Sequence, residues 1–259
     1  MDRQQQAAAK QLLTHAQTLG LQLPKPVLEA HAKVEKIRAA VGSIPPHNLA
    51  GVAAAVADAL GRDADPTTDP EVARAIALNA ITMPAVLDHI EEAAFLGLWD
   101  ACRDHQDAIV AALREPFEKA AAALNLAHER IGDLDLKADS EAILKKGGDI
   151  ASVWAAAVEA QRSIDVVVLA WVALSQFVHP ESVDRRWLNL RIVNPTADRW
   201  DELDLSRKML GPWDAVRAGL APLSLPSLSE YTQRRAAIVE RRAEIQTAAA
   251  ATPARAGHW

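Results

Sequence analysis

The residues best able to do chemistry in this 259-residue chain are carboxylates and imidazoles concentrated in one helix-length segment. They are Asp88, His89, Glu91, Glu92, Asp100, Asp104, His105 and Asp107. Such side chains bind iron or manganese in helical bundles, but a bundle site also needs Glu-x-x-His elements on facing helices. The chain contains no such element. We therefore predict no metal and no cofactor, and interpret the cluster as a solvated helix face or a docking surface for a basic partner.

Signatures of catalysis are missing elsewhere in the sequence. There is no nucleophile elbow, Walker loop, dinucleotide fingerprint or His-Glu-x-x-His element. Asp165 stands inside an apolar run, and we interpret it as part of a polar strip with Arg162 and Glu159. His105 is expected to be a partly buried core histidine, and Cys102, without a second cysteine, cannot form an intramolecular disulfide. We predict no catalytic residues and no enzyme activity.

The C-terminal segment is the candidate binding site. Two arginine pairs lie seven residues apart and fall on one side of a helix, a geometry able to meet phosphates or acidic side chains. Three apolar residues recur at the same seven-residue spacing, which is a narrow seam typical of a helix that orders against a partner. The predicted partner-binding residues are Tyr231, Arg234, Arg235, Ile238, Arg241, Arg242 and Ile245.

The middle of the chain carries an apolar stripe at three- and four-residue spacing, which predicts a very long amphipathic helix. The stripe comprises Met83, Leu87, Ile90, Ala94, Leu98, Cys102, Ile109, Leu113, Phe117, Ala120, Leu124, Ala127 and Ile131. A helix over residues 84–131 would be roughly 70 Å long, so it requires another long helix to pack against. Pro116 predicts a kink or break at residues 114–116. A second long helix over residues 150–178 is expected to complete an antiparallel hairpin.

Local signals predict how the other elements begin and end. Gly20, Gly42 and Gly61 are expected at left-handed helix ends. Asp69 is expected to cap a helix that begins at Pro70, and residues 227–230 read as a capping box. Alternating residues at 133–136, 187–193 and 202–205 favour short extended pieces.

Composition favours an all-α fold. Alanine, the best helix former, occurs in nearly every segment, whereas aromatic residues make up 4% of the chain. We predict a small three-helix unit over residues 1–62, a linker and short helix over 63–82, and a long helical hairpin over 83–180. An irregular segment with short extended pieces over 181–226 and a C-terminal helix with a flexible tail over 227–259 complete the expected organisation.

Charge and hydropathy limit the classes of partner. A net charge of −6 and a pI near 5.8 argue against general attraction to nucleic acid or anionic membranes. The longest apolar run, 164–174, is shorter than the roughly 20 residues that span a bilayer. The N-terminus shows no secretory signal, so a cytoplasmic or virion location is expected. No small-molecule substrate is indicated.

Several helix-boundary motifs resemble those of a known group of proteins. They are the motifs at residues 132–136, 146–149 and 211–214, together with Glu230-Tyr231. Their arrangement resembles Ala-rich helical proteins, of unassigned function, from phages and prophages of high-GC actinobacteria. The resemblance implies a virion or assembly role and carries over no site residues.

The leading hypothesis is therefore a non-enzymatic structural or assembly protein that associates with itself or with other structural proteins through its helices. A phage capsid-assembly or virion component is one such role. The alternative is a regulatory or nucleic-acid-binding module that uses the basic C-terminal helix. A third hypothesis, an enzyme with a site between the long helices, would require a bound metal.

Overall fold

The computed structural model describes residues 3–43, 49–137, 139–179 and 184–251, and all regular structure in these ranges is helical. The helices are α1 (Arg3–Thr18), α2 (Lys25–Ser43), α3 (Leu49–Gly61), α4 (Pro70–Ile81), α5 (Pro84–Asp104), α6 (Gln106–Ile131), α7 (Ser140–Leu144), α8 (Gly148–Val178), the 3-10 helix η1 (Arg185–Arg191), α9 (Ala197–Glu202), α10 (Pro212–Arg217) and α11 (Leu228–Ala251). The predicted all-α class is confirmed. The tail expected to be flexible lies, beyond residue 251, outside the described residues.

The chain folds as two units. Unit 1 consists of α2 to α5, and unit 2 consists of α1 together with α6 to α11 and η1. In unit 1, α2 packs on α5 and α3 packs on α4, whereas α1 packs on α8 in unit 2. This grouping differs from the three-helix unit expected over residues 1–62, because the contacts of α1 lie far along the chain from those of α2 and α3.

The core of unit 2 is built on α6 and α8. Gln106 Oε1 at the start of α6 lies 3.2 Å from His179 Nε2 directly after α8, so the two helices run antiparallel. Helix α1 packs on α8 as well. The large core side chains are Leu12, Ile109, Leu113, Phe117, Leu124, Ile164, Trp171, Leu174 and Phe177, each no more than 1% exposed. These residues give unit 2 a continuous apolar interior.

Pro116 does not break α6. The helix continues through it from Gln106 to Ile131, so of the predicted kink or break the break is wrong, and the kink stays a prediction. The missing N–H and the clash of the ring cost about 3 kcal/mol. On either side of the proline, Leu113 and Phe117 are completely buried. Full burial of such side chains contributes about 1.5–3 kcal/mol each, which offsets the cost of the proline.

The long central segment is instead interrupted at His105. Helix α5 ends at Asp104 and α6 begins at Gln106, with His105 between them at φ −115° and ψ 17°. His105 is half-buried, and its carbonyl accepts a hydrogen bond from Ile109 N at 3.0 Å. The expected single rod over 84–131 is thus two helices. The break falls between Cys102 and Ile109, where the buried residues pass from unit 1 to unit 2.

The glycine signals are partly correct. Gly20 adopts the left-handed φ of 65° that a helix end after α1 requires. Gly42 and Gly61 lie within α2 and α3 and are not left-handed, so the expectation for them is wrong. After α3 the left-handed residue is Asp63, with φ 56°, and Ala64 N donates to Ala59 O at 3.0 Å. An aspartate tolerates this conformation better than most side chains, so the turn does not need glycine.

The expected extended pieces are turns or helices in the structure. Residues 133–136 and 203–205 form bends, loops or turns, and the segment 187–193 forms η1 and the residues directly after it. Trp187, Leu190 and Val193 are buried at three-residue spacing, which is the period of a 3-10 helix. Asn189 fixes this conformation, since its side-chain amide donates to Leu205 O at 2.7 Å. The buried residues of this segment therefore follow the three-residue period of a 3-10 helix and not the two-residue period of a strand.

Two predicted helix caps are confirmed. The Asp69 carboxylate accepts hydrogen bonds from Glu71 N at 2.9 Å and Val72 N at 3.2 Å, with Pro70 at the first helical position. At α11, Ser227 Oγ accepts from Glu230 N at 3.1 Å, and Ser227 N donates to the Glu230 carboxylate. Both caps satisfy N–H groups that a helix start leaves without intrahelical partners.

Cys102 offers a test of burial in unit 1. The residue is 1% exposed, and burial raises the pKa of its thiol to about 12. Because the thiolate is the reactive form, we expect no reaction with Ellman's reagent in the native protein at neutral pH. After unfolding in guanidinium chloride, one thiol per chain should react. Rapid reaction in the native state would contradict the packing of α5.

Candidate protein-binding surface

The structure places three of the seven predicted partner-binding residues inside unit 2. Tyr231 and Ile238 are 2% and 3% exposed, so the apolar seam of α11 packs within the chain. The Tyr231 ring meets the Trp171 ring edge-on, with centroids 5.1 Å apart. Ile245, at 40% exposure, is the member of the seam that remains accessible. The partner against which most of this helix orders is its own unit.

Arg234 is the third of these residues, and it fastens α11 to unit 2. Its Nη1 lies 2.9 Å from Leu190 O, 3.2 Å from Val193 O and 3.2 Å from Ser224 O, and its Nη2 lies 2.8 Å from Ser224 Oγ. Charge-assisted hydrogen bonds of this kind are stronger than neutral ones. The guanidinium is thus a structural bridge between α11 and the backbone around η1.

The other three arginines of α11 also have neighbours within the chain. The Arg235 guanidinium lies over the Trp187 ring, 5.7 Å from its centroid. Arg241 pairs with Glu244 at 2.9 Å, and Arg242 pairs with Asp201 at 3.2 Å. Two of the four positive charges that suggested a nucleic-acid interface are therefore paired with carboxylates of unit 2.

Three ionisable residues of α8, η1 and α11 lie within electrostatic reach through Arg191. Arg191 of η1 interacts with Asp165 of α8 and with Tyr231 of α11. Burial raises the pKa of the Asp165 carboxyl, against the opposing charges of Lys137 and Arg191. Burial likewise raises the pKa of Tyr231 and lowers that of Arg191.

The sequence suggested Arg162 as the neighbour of Asp165, but Arg162 pairs with Glu159 at 3.6 Å. The cations close enough to affect Asp165 are Lys137 and Arg191. Arg191 was missed because it lies far from Asp165 along the chain. The raised pKa of Tyr231 favours its protonated hydroxyl, which does not suit this residue to proton abstraction.

The acidic and imidazole residues of α5 form pairs rather than a metal site. His89 Nδ1 lies 3.6 Å from Glu92 Oε2, and Arg103 contacts Asp100 at 3.0 Å and Asp104 at 3.3 Å. Within residues 3–43, 49–137, 139–179 and 184–251, no three His, Cys, Asp or Glu side chains are grouped so as to hold a metal ion. These pairs leave α5 with a solvated polar side.

Large apolar side chains are exposed mainly on unit 1. Ten of the described residues of unit 1 belong to this class, against six in the larger unit 2. The ten are Leu28, Leu49, Leu60, Ile76, Leu78, Ile81, Met83, Val86, Ile90 and Leu96. Isolated exposed apolar residues are normal, but a concentration of them in one small unit marks an interaction site.

The exposed apolar residues cluster around α3, α4 and the first half of α5. From residue 75 to residue 90 six large apolar side chains are exposed, and Val72 is the buried apolar residue of α4. Full burial of one such side chain contributes about 1.5–3 kcal/mol, so covering this region with another protein would release several kcal/mol. Unit 1 therefore carries the candidate binding surface.

The central apolar stripe of the sequence contributes to this surface at one end. From Ala94 to Ile131 every residue of the stripe is buried, whereas Met83 and Ile90 are 47% and 37% exposed. The sequence therefore indicated the stripe but not the point at which it becomes accessible. The contribution of α3 and α4 was missed. The apolar residues of α3 were assigned to the core of the three-helix unit over residues 1–62, and those of α4 were assigned to no surface.

Comparisons of the chain with models of protein families, with curated proteins and with solved structures find no match. Among the described residues, no helix is both long enough and apolar enough to cross a bilayer. The geometry of the unit 1 surface is therefore the basis for assigning a function.

Proposed function

We propose that this chain is a non-enzymatic helical protein that acts by associating with other protein molecules, first of all with copies of itself. The observation that carries the proposal is the concentration of ten exposed large apolar side chains on unit 1. Burial of apolar surface is the dominant favourable term in protein association. Unit 2, with its continuous core, supplies a stable body for the chain.

A structural or assembly role fits this activity, and a capsid-assembly or virion component is the specific role we propose. The helix-boundary motifs at residues 132–136, 146–149 and 211–214 support it through their resemblance to Ala-rich phage and prophage proteins. Such a role requires a surface that binds repeatedly to copies of one protein. A concentrated apolar surface on one unit meets that requirement.

The side chains suited to other activities are engaged in maintaining the fold. Arg234 binds backbone carbonyls, Arg242 pairs with Asp201, and the charges of Lys137 and Arg191 act on Asp165. These contacts favour a supporting role for the polar residues of unit 2. The proposal therefore places the activity on the apolar residues of unit 1.

Light scattering and sedimentation equilibrium over a wide range of protein concentration test the proposal. We expect the mean mass to rise above the 27.9 kDa of one chain as the concentration increases. Because the association is apolar, added sodium chloride should leave it unchanged and ammonium sulfate should strengthen it. A mass of 27.9 kDa at every concentration would exclude self-association. Loss of the assembly in sodium chloride would show a charge-driven contact instead.

A further inference from the structure

The pair formed by α3 and α4 has little internal packing. Arg62, directly after α3, has its Nη2 3.3 Å from Oδ2 of Asp69, which caps α4, so the two packed helices run antiparallel. Their buried apolar side chains are Ala59 and Val72. Helices of 13 and 12 residues are marginal in water and depend on tertiary packing. The pair therefore needs a further surface to cover it.

Each of these helices carries a second apolar stripe, directed at solvent. On α3 it consists of Leu49, Ala53, Val56 and Leu60, and on α4 of Ala73, Ile76 and Ala80. Leu49 and Leu60 are 66% and 58% exposed, and Ile76 is 53% exposed. The residues recur at alternating three- and four-residue spacing, the pattern with which helices pack against helices. Within the described residues of unit 1, no other helix covers Leu49, Leu60 or Ile76.

Both stripes lie on the same side of the hairpin. At 3.6 residues per turn, the α3 stripe is roughly a quarter turn further round the helix than Ala59. The α4 stripe is offset from Val72 by a similar angle and in the same sense. Seen from one end of the hairpin, successive residues advance clockwise round one helix and anticlockwise round the other, because the helices are antiparallel. Ala59 and Val72 mark the sides on which the two helices face each other. Equal offsets from these two residues therefore place both stripes on the same side of the hairpin. We call this surface, formed by the two stripes, the α3–α4 face.

We propose that the α3–α4 face binds the α3–α4 face of a second copy, so that four helices pack in a symmetric dimer. The inference rests on the proposed function and identifies its surface and its partner. A two-fold contact brings identical patches together, which is unfavourable wherever the patch carries charge. Residues 49–57 and 75–87 contain no Asp, Glu, Lys or Arg. The face is therefore suited to its own copy and offers nothing to a partner that binds through charge.

The charges that border the face are mainly acidic. Arg62 lies 3.0 Å from Asp58 and 3.3 Å from Asp69, at the end of the hairpin where the two helices are connected. Asp63 and Asp65 lie in the same turn and give it an acidic character. An acidic border disfavours anionic lipids, which attract helices rich in Lys and Arg. The border thus supports a protein partner over a membrane surface.

The face is small for a stable dimer. A standard interface uses roughly 20–30 residues on each side. The two stripes supply seven residues, Leu49, Ala53, Val56, Leu60, Ala73, Ile76 and Ala80, so the dimer belongs at the weak end of specific association. The alanines within the stripes allow helix axes to approach to about 8–10 Å. Leu49, Leu60 and Ile76 then project between them as the larger contacts.

Two substitutions on α4 test the proposal: one lies inside the face, and the other lies outside it and serves as the control. Ile76→Asp places a charge in the face, whereas Leu78→Asp places the same charge nearly half a turn round the same helix, on the opposite side. Leu78 is 46% exposed, so the two sites are similarly accessible. By sedimentation equilibrium we expect Ile76→Asp to weaken dimerisation about 100-fold, because the contact buries an unpaired charge. Leu78→Asp should change the dissociation constant by less than about threefold.

Further variants keep the test independent of folding. Leu60→Asp on α3 should weaken the dimer as Ile76→Asp does, and Ile76→Leu should retain it. Circular dichroism should show parental helix content in each, since both wild-type residues are more than half exposed. If Ile76→Asp and Leu60→Asp dimerise as tightly as the parent, the α3–α4 face is wrong while self-association stands. If Leu78→Asp weakens the dimer equally, the contact is non-specific and the proposal fails.

Vesicle flotation separates a protein partner from a lipid surface. We expect the chain not to float with phosphatidylcholine vesicles or with vesicles that contain phosphatidylserine. Flotation that Ile76→Asp abolishes and Leu78→Asp preserves, in a chain that stays monomeric, would assign the face to lipid and overturn the proposal. A parent chain that is monomeric at all concentrations and does not float would remove both this inference and the proposed function.

Discussion

Replacing Trp171 with alanine is expected to lower the free energy of unfolding of unit 2 by about 4 kcal/mol. Trp171 of α8 is fully buried, and its Nε1 donates to Pro226 O at 2.8 Å. Its ring also meets Tyr231 edge-on at a centroid distance of 5.1 Å. The substitution would leave a cavity, an unpaired carbonyl and a loosened contact between α8 and α11. Few other residues combine these three effects.

Guanidinium denaturation followed by far-UV circular dichroism measures this loss. Leu169→Ala in the same helix is the matched control, because Leu169 is 51% exposed and should cost no more than about 0.5 kcal/mol. Trp171→Phe should lose about 1–2 kcal/mol, since it retains a ring but not the hydrogen bond to Pro226. Equal losses at Trp171 and Leu169 would contradict the burial of α8.

Replacing Arg234 with alanine is expected to lower the free energy of unfolding by about 3 kcal/mol. The substitution removes hydrogen bonds to the carbonyls of Leu190, Val193 and Ser224 and to the Ser224 hydroxyl. Part of this region is buried, so the abandoned carbonyls cannot all recover partners in water. The stability of Arg234→Lys should lie between that of the parent chain and that of Arg234→Ala, because one ammonium cannot reproduce the planar set of donors.

Arg241→Ala on the same helix is the control for Arg234. Arg241 contacts Glu244 within α11, and an exposed pair of this kind is worth about 0.3–0.5 kcal/mol. Chemical denaturation of the two variants, together with proteolysis of α11, measures the difference. If Arg234 were a partner-binding residue, as the sequence suggested, its replacement would leave stability unchanged. That result would contradict the docking of α11 described here.

Local sequence signals correctly predicted much of the secondary structure. The cap at Asp69 and the capping box at Ser227 and Glu230 are confirmed, and they depend on residues within a few positions of one another. The all-α class follows from alanine content and from apolar periodicity, which are also local. Gly20 acts as predicted because a left-handed turn needs little from the rest of the fold.

Signals that depend on distant contacts were predicted less well. Pro116 is tolerated because Leu113 and Phe117 are buried against other parts of unit 2. The alternation at 187–193 predicts a short extended piece, whereas the bond from the Asn189 amide to Leu205 O holds this segment as a 3-10 helix. The helix boundary at His105 carries no glycine or proline and coincides with the change from one unit to the other.

The candidate binding site shows the same difference between what local signals predict and what distant contacts decide. The sequence displayed the arginines and apolar residues of α11, and it displayed the apolar residues of α3 and α4 with equal clarity. From the sequence we predict a partner for the first group and a place in the core of the three-helix unit for the α3 residues, whereas the α4 residues carry no such prediction. In the structure, Arg234 and Tyr231 make contacts inside unit 2, whereas Leu49, Leu60 and Ile76 are exposed.

The sequence by itself determined that the chain is helical, where several of its helices begin, and that a long apolar stripe runs through its middle. These properties arise from backbone propensity, caps and periodicity, which act over a few residues. The tertiary structure decided which apolar residues are buried and which arginines are engaged. That outcome depends on contacts such as the hydrogen bond from Arg234 to Leu190 O, whose residues are 44 positions apart in the chain. No local sequence pattern predicts a contact of this kind.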